Sequence, residues 1–177
     1  MMKVKHSFLV FAAAFLMVMP AFAKTGVVYQ RQDSLRIVSL LQQAKAMKKK
    51  PANWMMWFGK QFVGIPYVGG TLDRTQEELL VVNTRELDCT TYVEIVTALT
   101  MCAKHQETSF AAFCNHLKHV RYIGGEVAYV KRQHYFTLWV DDNVKEGIVK
   151  DIQNNPPFTS VQTILSDRKS GSAGMPR

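Results

Sequence analysis

Residues 85–94 read Arg-Glu-Leu-Asp-Cys-Thr-Thr-Tyr-Val-Glu, a polar run that turns into an apolar helical pattern through Val93, Ile95, Val96 and Leu99. A helix that begins here needs a cap. Thr91 with Glu94 has the capping-box spacing, and Asp88 is an alternative N-cap. Either choice sets Cys89 at the start of a helix, where unpaired N–H groups and the positive end of the helix dipole favour thiolate over thiol. Asp88 opposes this weakly, because one carboxylate disfavours a second anion nearby. An isolated cysteine is more often a buried structural residue. The polar approach to Cys89 points instead to a nucleophile.

The ends of the chain read differently from its middle. Lys3 and Lys5 precede an apolar stretch at residues 8–19, and Pro20-Ala21-Phe22-Ala23 supplies a small-residue cleavage site before Lys24. Residues 1–23 are therefore expected to be a signal peptide, and the protein secreted or periplasmic. The apolar stretch falls short of the roughly 20 residues that a membrane span needs. Removing 23 of 177 residues leaves 154, enough for one domain with a core, and removing two lysines lowers the formal charge from +8 to +6. A basic exported protein suits an acidic partner such as cell-wall polymer, not nucleic acid. Lys45, Lys48, Lys49 and Lys50 cluster where a helix is expected to end. The three cysteines leave at least one unpaired. Cys102 and Cys114 fall on successive helices whose hairpin would set Cys102 opposite a residue near Ser109, which disfavours a disulfide between them, and the odd thiol left over is Cys89.

Along the chain, Asp33 or Ser34 is expected to cap a helix running to about Lys49, and Pro51 to open a second carrying Trp54, Phe58 and Phe62 at i, i+4, i+8. Gly64-Ile65-Pro66 ends it. A loop follows, then a short strand at residues 79–82. Beyond the Cys89 helix, Phe110, Phe113, Cys114 and Leu117 mark another helix. Residues 120–123 and 127–130 read as a hairpin about Gly124-Gly125. Residues 135–143 look helical and 148–152 β-like. From residue 154 the signal decays, and 154–177 is expected to be an irregular tail. Helices first and strands later suggest α+β.

Three stretches occur in order: Gly64-Ile65-Pro66-Tyr67-Val68-Gly69-Gly70-Thr71-Leu72-Asp73, then residues 85–94, then Arg132-Gln133-His134-Tyr135-Phe136 with Trp139 and Asp142-Asn143. Together they resemble the secreted N-acetylmuramoyl-L-alanine amidase-like branch of the NlpC-type, papain-like cysteine peptidases, over roughly residues 52–152. The resemblance implies peptidoglycan or its muropeptide fragments as substrate, Cys89 as nucleophile, and a papain-like fold with an N-terminal helical half and an antiparallel sheet. Two departures stand out. Thr137-Leu138 replaces the family's Ser-Asp, and no histidine is followed at i+2 by glycine, the context of the family's catalytic base. The resemblance thus implies that the domain, residues 24–153, is C-terminally truncated and its sheet incomplete.

A cysteine hydrolase needs a base held beside the thiol. Of five histidines, His6 leaves with the signal, His105 lies in a polar turn, and His116 and His119 lie near a helix end. His134, among aromatics, is the candidate base, with substrate positioning or core packing as alternatives. Tyr67 and Trp139 are candidates to line the cleft or the core. Gly69 and Gly70 suit close passage of backbone beside a cleft or a plain turn, and Arg85 suits a substrate charge or an ion pair. Asp73 reads better as an ion-pair partner. No spacing suggests zinc, so neither metal nor cofactor is expected. Two other readings stand beside the amidase: a truncated, non-catalytic protein that binds wall fragments, and a stem-peptide endopeptidase.

Overall fold

Helix α3 (Cys89–His105) is the hub of the fold. Its Ile95, Val96, Ala98, Leu99 and Cys102 are all buried, so it must be sheltered from more than one side. The computed structural model describes residues 26–48 and 50–150. Within them, three helices pack against α3. Helix α1 (Arg31–Ala46) presents Ile37, Leu40, Leu41 and Ala44 along one face, α2 (Trp54–Lys60) contributes Phe58, and α4 (Phe110–Arg121) contributes Phe113 and Leu117. Helix α5 (Phe136–Lys145) packs on α4. There the fully buried Asn143 donates through Nδ2 to the carbonyls of Val120 (3.1 Å) and Trp139 (2.8 Å). The expected signal and the expected tail lie outside the described residues. Among the described helices, none is long and apolar enough to cross a membrane.

The expected antiparallel sheet is replaced by a parallel one. Strands β1 (Val27–Tyr29) and β2 (Leu80–Val82) pair in parallel with Val27 opposite Leu80, and they form the sheet of the described residues. The expected hairpin fails for a specific reason. Val120 is fully buried with Phe113 and Leu117 at i, i+4, i+7, so α4 extends through residues assigned to a strand. Gly124 and Gly125, at φ 62° and 69°, then form a tight 3-10 turn. The reversal itself is present: Tyr122 and Arg132 form an isolated antiparallel bridge. At the β-like stretch, the amides of Ile148 and Val149 return to the Asn143 carbonyl (2.9 and 3.1 Å), closing the end of α5. Residues 151 and 152 of that stretch lie outside the described residues.

Both α1 and α2 have ends that differ from expectation. Gln30, not Asp33 or Ser34, is the N-cap of α1, and the helix stops at Ala46. Asn53, not Pro51, opens α2, its Oδ1 accepting from the Met56 N–H at 3.1 Å. Phe62 lies in the turn beyond α2 and is still buried. Asp33 is fully buried and accepts from the Gln30 N–H (2.9 Å), the Thr84 N–H (2.9 Å), the Thr84 hydroxyl (2.8 Å) and Arg85 Nε (3.3 Å). Burial alone would raise this carboxyl. The hydrogen bonds from Thr84, Gln30 and Arg85 outweigh it and hold Asp33 below the usual range.

A second buried tie joins α3, α4 and β2. Arg121 Nε donates to Glu94 Oε2 and its Nη1 to the Val81 carbonyl, both at 2.7 Å, and both residues are almost inaccessible. Burial pulls the Glu94 carboxyl above its usual range against the opposing pull of Arg121. All three cysteines are free thiols. Burial pushes Cys102 up to about 12 and Cys114 up to about 11.

Candidate active site

The start of α3 is closed by a reciprocal cap. Asp88 Oδ1 accepts from the Thr91 N–H at 2.8 Å, and Thr91 Oγ1 accepts from the Asp88 N–H at 3.0 Å. The cap is therefore Asp88 with Thr91, while Glu94 turns inward to Arg121. Cys89 is the first helical residue and is exposed. The N–H groups of Cys89 and Thr90 have no hydrogen-bond acceptor among the described residues, as the geometry of a helix start dictates.

A distant segment completes the site. The Leu87 N–H donates to the Pro66 carbonyl (3.1 Å) and the Val68 N–H to the Leu87 carbonyl (3.0 Å). This short parallel bridge sets Tyr67 opposite Leu87, two residues before the cysteine. The phenol comes to stand beside Cys89, whose negative charge, as thiolate, pushes the Tyr67 hydroxyl above its ordinary range. Between them lies an open, largely apolar cleft of about 220 Å³, lined by Phe62, Ile65, Tyr67, Leu87, Asp88, Cys89 and Tyr92. Tyr92 meets Phe62 edge to face at 6.4 Å. Its hydroxyl fits against α2 because position 59 is glycine: a Cβ there would stand 2.6 Å from it.

The other residues singled out in the sequence lie outside this lining. His134 is exposed, its ring centroid 4.5 Å from that of Tyr129 and its Nε2 2.9 Å from the Tyr129 carbonyl. Arg85 is spent on buried Asp33. Asp73 pairs with Arg132, which also reaches Glu78 at 3.4 Å. Trp139 is buried on α5 and stacks on Phe136 at 5.6 Å. Gly70 turns the chain at φ 69°, and a Cβ at Gly69 or Gly70 would meet nothing within 4 Å. The described histidines all lie outside the cleft lining. Sequence reasoning missed Tyr92, although its place three residues after Cys89 puts both on one helix face.

No match is found among functionally curated proteins. Among solved structures, the chain is similar to a candidate xylanase from Bacteroides fragilis (34% identity, 55% of this chain and 44% of that one, TM-score 0.52). It is also similar to an N-acetylmuramoyl-L-alanine amidase from Bacteroides uniformis (35% identity, 59% and 41%, TM-score 0.50). A protein from Legionella pneumophila gives a TM-score of 0.58 at 27% identity over 69% of this chain and 40% of that one. The chain thus spans less than half the length of these structures. The profile of the N-acetylmuramoyl-L-alanine amidase-like (AmiA-like) family matches residues 57–173, a stretch that contains the whole Cys89 cleft. With 117 of its 177 residues matched, the chain belongs to the N-acetylmuramoyl-L-alanine amidase-like family.

Proposed function

We propose that the protein is a cysteine-dependent hydrolase of peptidoglycan fragments, of the N-acetylmuramoyl-L-alanine amidase type and the papain-like lineage, working at the Cys89 cleft. One observation carries this reading. Cys89 is exposed at the first residue of α3 and lines a cleft, whereas Cys102 and Cys114 are buried. In the proposed reaction the Cys89 sulfur attacks the amide carbonyl between the lactyl group of the sugar and the first alanine. The Cys89 N–H donates to the oxyanion that forms, a kind of stabilisation worth several kcal/mol, of order 3, in other hydrolases. The carbon–nitrogen bond breaks and the amine leaves with the proton given up by the thiol; water then cleaves the thioester, its oxygen joining the acyl carbon and one of its protons returning to the sulfur. The phenol of Tyr67 carries an exchangeable proton beside this sulfur. A peptidoglycan substrate also implies export, for which an amino terminus at Lys24 in the mature protein is the check.

A second reading keeps the cleft and removes the turnover. The described histidines all lie outside the cleft, and His134 is engaged with Tyr129, so among the described residues no histidine stands beside the thiol as its base. On this observation the chain binds wall fragments without cleaving them. The xylanase likeness finds less support. Glycoside hydrolysis runs on a pair of carboxyl groups, whereas this cleft contains Asp88 alone, already committed as a helix cap.

The test is incubation with purified disaccharide-peptide, beside Cys89→Ala, with products identified by mass. Cys89-dependent release of intact stem peptide supports the amidase. Cleavage inside the stem makes it an endopeptidase. Saturable binding without release supports the second reading, and neither binding nor release overturns both.

A further inference from the structure

The turn between α3 and α4 gathers three metal-ligating residues that take no part in the Cys89 cleft. Cys102 lies in the last turn of α3, Glu107 just beyond it and His116 on α4. Their sulfur, carboxylate oxygen and ring nitrogen all lie within 4.8 Å of one another. The backbone makes this possible at Gln106. It is the only non-glycine residue with positive φ among those described (59°), and it turns the chain so that the Glu107 N–H returns to the Cys102 carbonyl at 2.9 Å. His116 Nε2 stands 2.6 Å from Glu107 Oε2, and the His105 ring stacks on that of His116 at 5.6 Å.

We propose that Cys102, Glu107 and His116 form a Zn²⁺ site that staples the end of α3 to α4. One thiol, one imidazole and one carboxylate suit a borderline-soft ion, whereas Mg²⁺ and Ca²⁺ take oxygen ligands. Three protein ligands leave the fourth tetrahedral position to water, or to His105 after a change of rotamer. Cys102 is fully buried while Glu107 and His116 reach solvent, so the ion enters from the carboxylate and imidazole side. On binding, the Cys102 S–H bond breaks, the proton passes to solvent and a sulfur–zinc bond forms. The Glu107–His116 contact opens to roughly 3.3 Å, the separation of two ligand atoms about 2.0 Å from a tetrahedral ion. Lys45 and Lys50 line a small cavity together with Glu107 and oppose the approach of a cation. Affinity must therefore come from the ligand bonds themselves rather than from long-range attraction.

The experiment uses the full chain with Cys89→Ala, which removes the exposed thiol, at neutral pH. Co²⁺ is titrated while the thiolate-to-cobalt charge-transfer absorption is followed, and Zn²⁺ is then added in competition. One equivalent of Co²⁺ should give the band and one of Zn²⁺ should remove it. Cys102→Ser should abolish the band and Cys114→Ser should leave it, while His116→Gln and Glu107→Gln should each weaken binding by at least about tenfold. If Cys102→Ser does not fold, the two surface-reaching variants decide. No band with Co²⁺, or unchanged affinity in His116→Gln and Glu107→Gln, overturns the site.

Discussion

Tyr67 stands in parallel register with Leu87, and this single bridge carries its phenol to Cys89. The two segments are separated by a loop containing Gly69 and Gly70, and two backbone hydrogen bonds fix them together. The nucleophile candidate is thus positioned by α3 and faced by a residue from a different part of the chain. Cleft geometry accordingly depends on the ties that hold α2, β2 and α3 in place.

Cys89 should be the fastest-reacting thiol of the native protein. It is exposed at a helix start, while burial pushes Cys102 up to about 12 and Cys114 up to about 11. Mass-mapped alkylation at neutral pH should label Cys89 at least about a hundredfold faster than either. His134→Gln should leave the Cys89 rate within about twofold, since His134 binds Tyr129 instead. A large fall in that variant would make His134 the base.

Gly59→Ala sets two effects against each other. Alanine in a helix gains about 1 kcal/mol over glycine, but its Cβ would stand 2.6 Å from the Tyr92 hydroxyl. We expect net destabilisation of about 1–3 kcal/mol from this overlap. In a Tyr92→Phe background the nearest ring carbon is 3.7 Å away, so the same substitution should become neutral or stabilising. Urea unfolding of the four proteins in the double-mutant cycle measures the sign change.

Acid should reveal the Asp33 tether. The folded carboxyl lies below its unfolded value near 3.9. Its contribution is therefore complete above that value and is lost as pH falls through the lower folded one. Asp33→Asn turns an amide N–H₂ towards donors and should cost about 1–3 kcal/mol at neutral pH. The variant should also lose less stability than the parent on acidification below about pH 4. Urea midpoints between neutral and acidic pH read both effects, and parallel curves would refute the tether.

Removing one partner of the buried pair should be severe. Arg121→Met leaves Glu94 and the Val81 carbonyl without their donor, at a cost of about 3–5 kcal/mol. Burial raises Glu94, so stability of the variant should fall further as pH rises from about 4 through the elevated folded value. Adding Glu94→Gln should recover much of the loss and flatten that dependence, as thermal unfolding across pH will show.

What the sequence determined by itself is local. The polar approach and the apolar positions after Cys89 place the start of α3 at Asp88 or Thr91 and mark the helix as buried, because capping and helical periodicity act within a few residues; the turn of Glu94 inward to Arg121 leaves the cap to Asp88. The strand expected at residues 79–82 and the helix at 135–143 appear as β2 and α5, displaced by one or two residues at their ends. Tertiary structure decided whatever depended on a distant partner. Asp33 reads as a helix cap, yet Thr84, 51 positions away, takes it into the core. Val120 reads as strand until the α4 face that buries it is seen. The parallel pairing of β1 with β2, the meeting of Tyr67 with Cys89 and the convergence of Cys102, Glu107 and His116 leave no periodic trace in the sequence. These contacts are chosen by burial and hydrogen bonding between segments, and propensity within a segment carries no record of which partner wins.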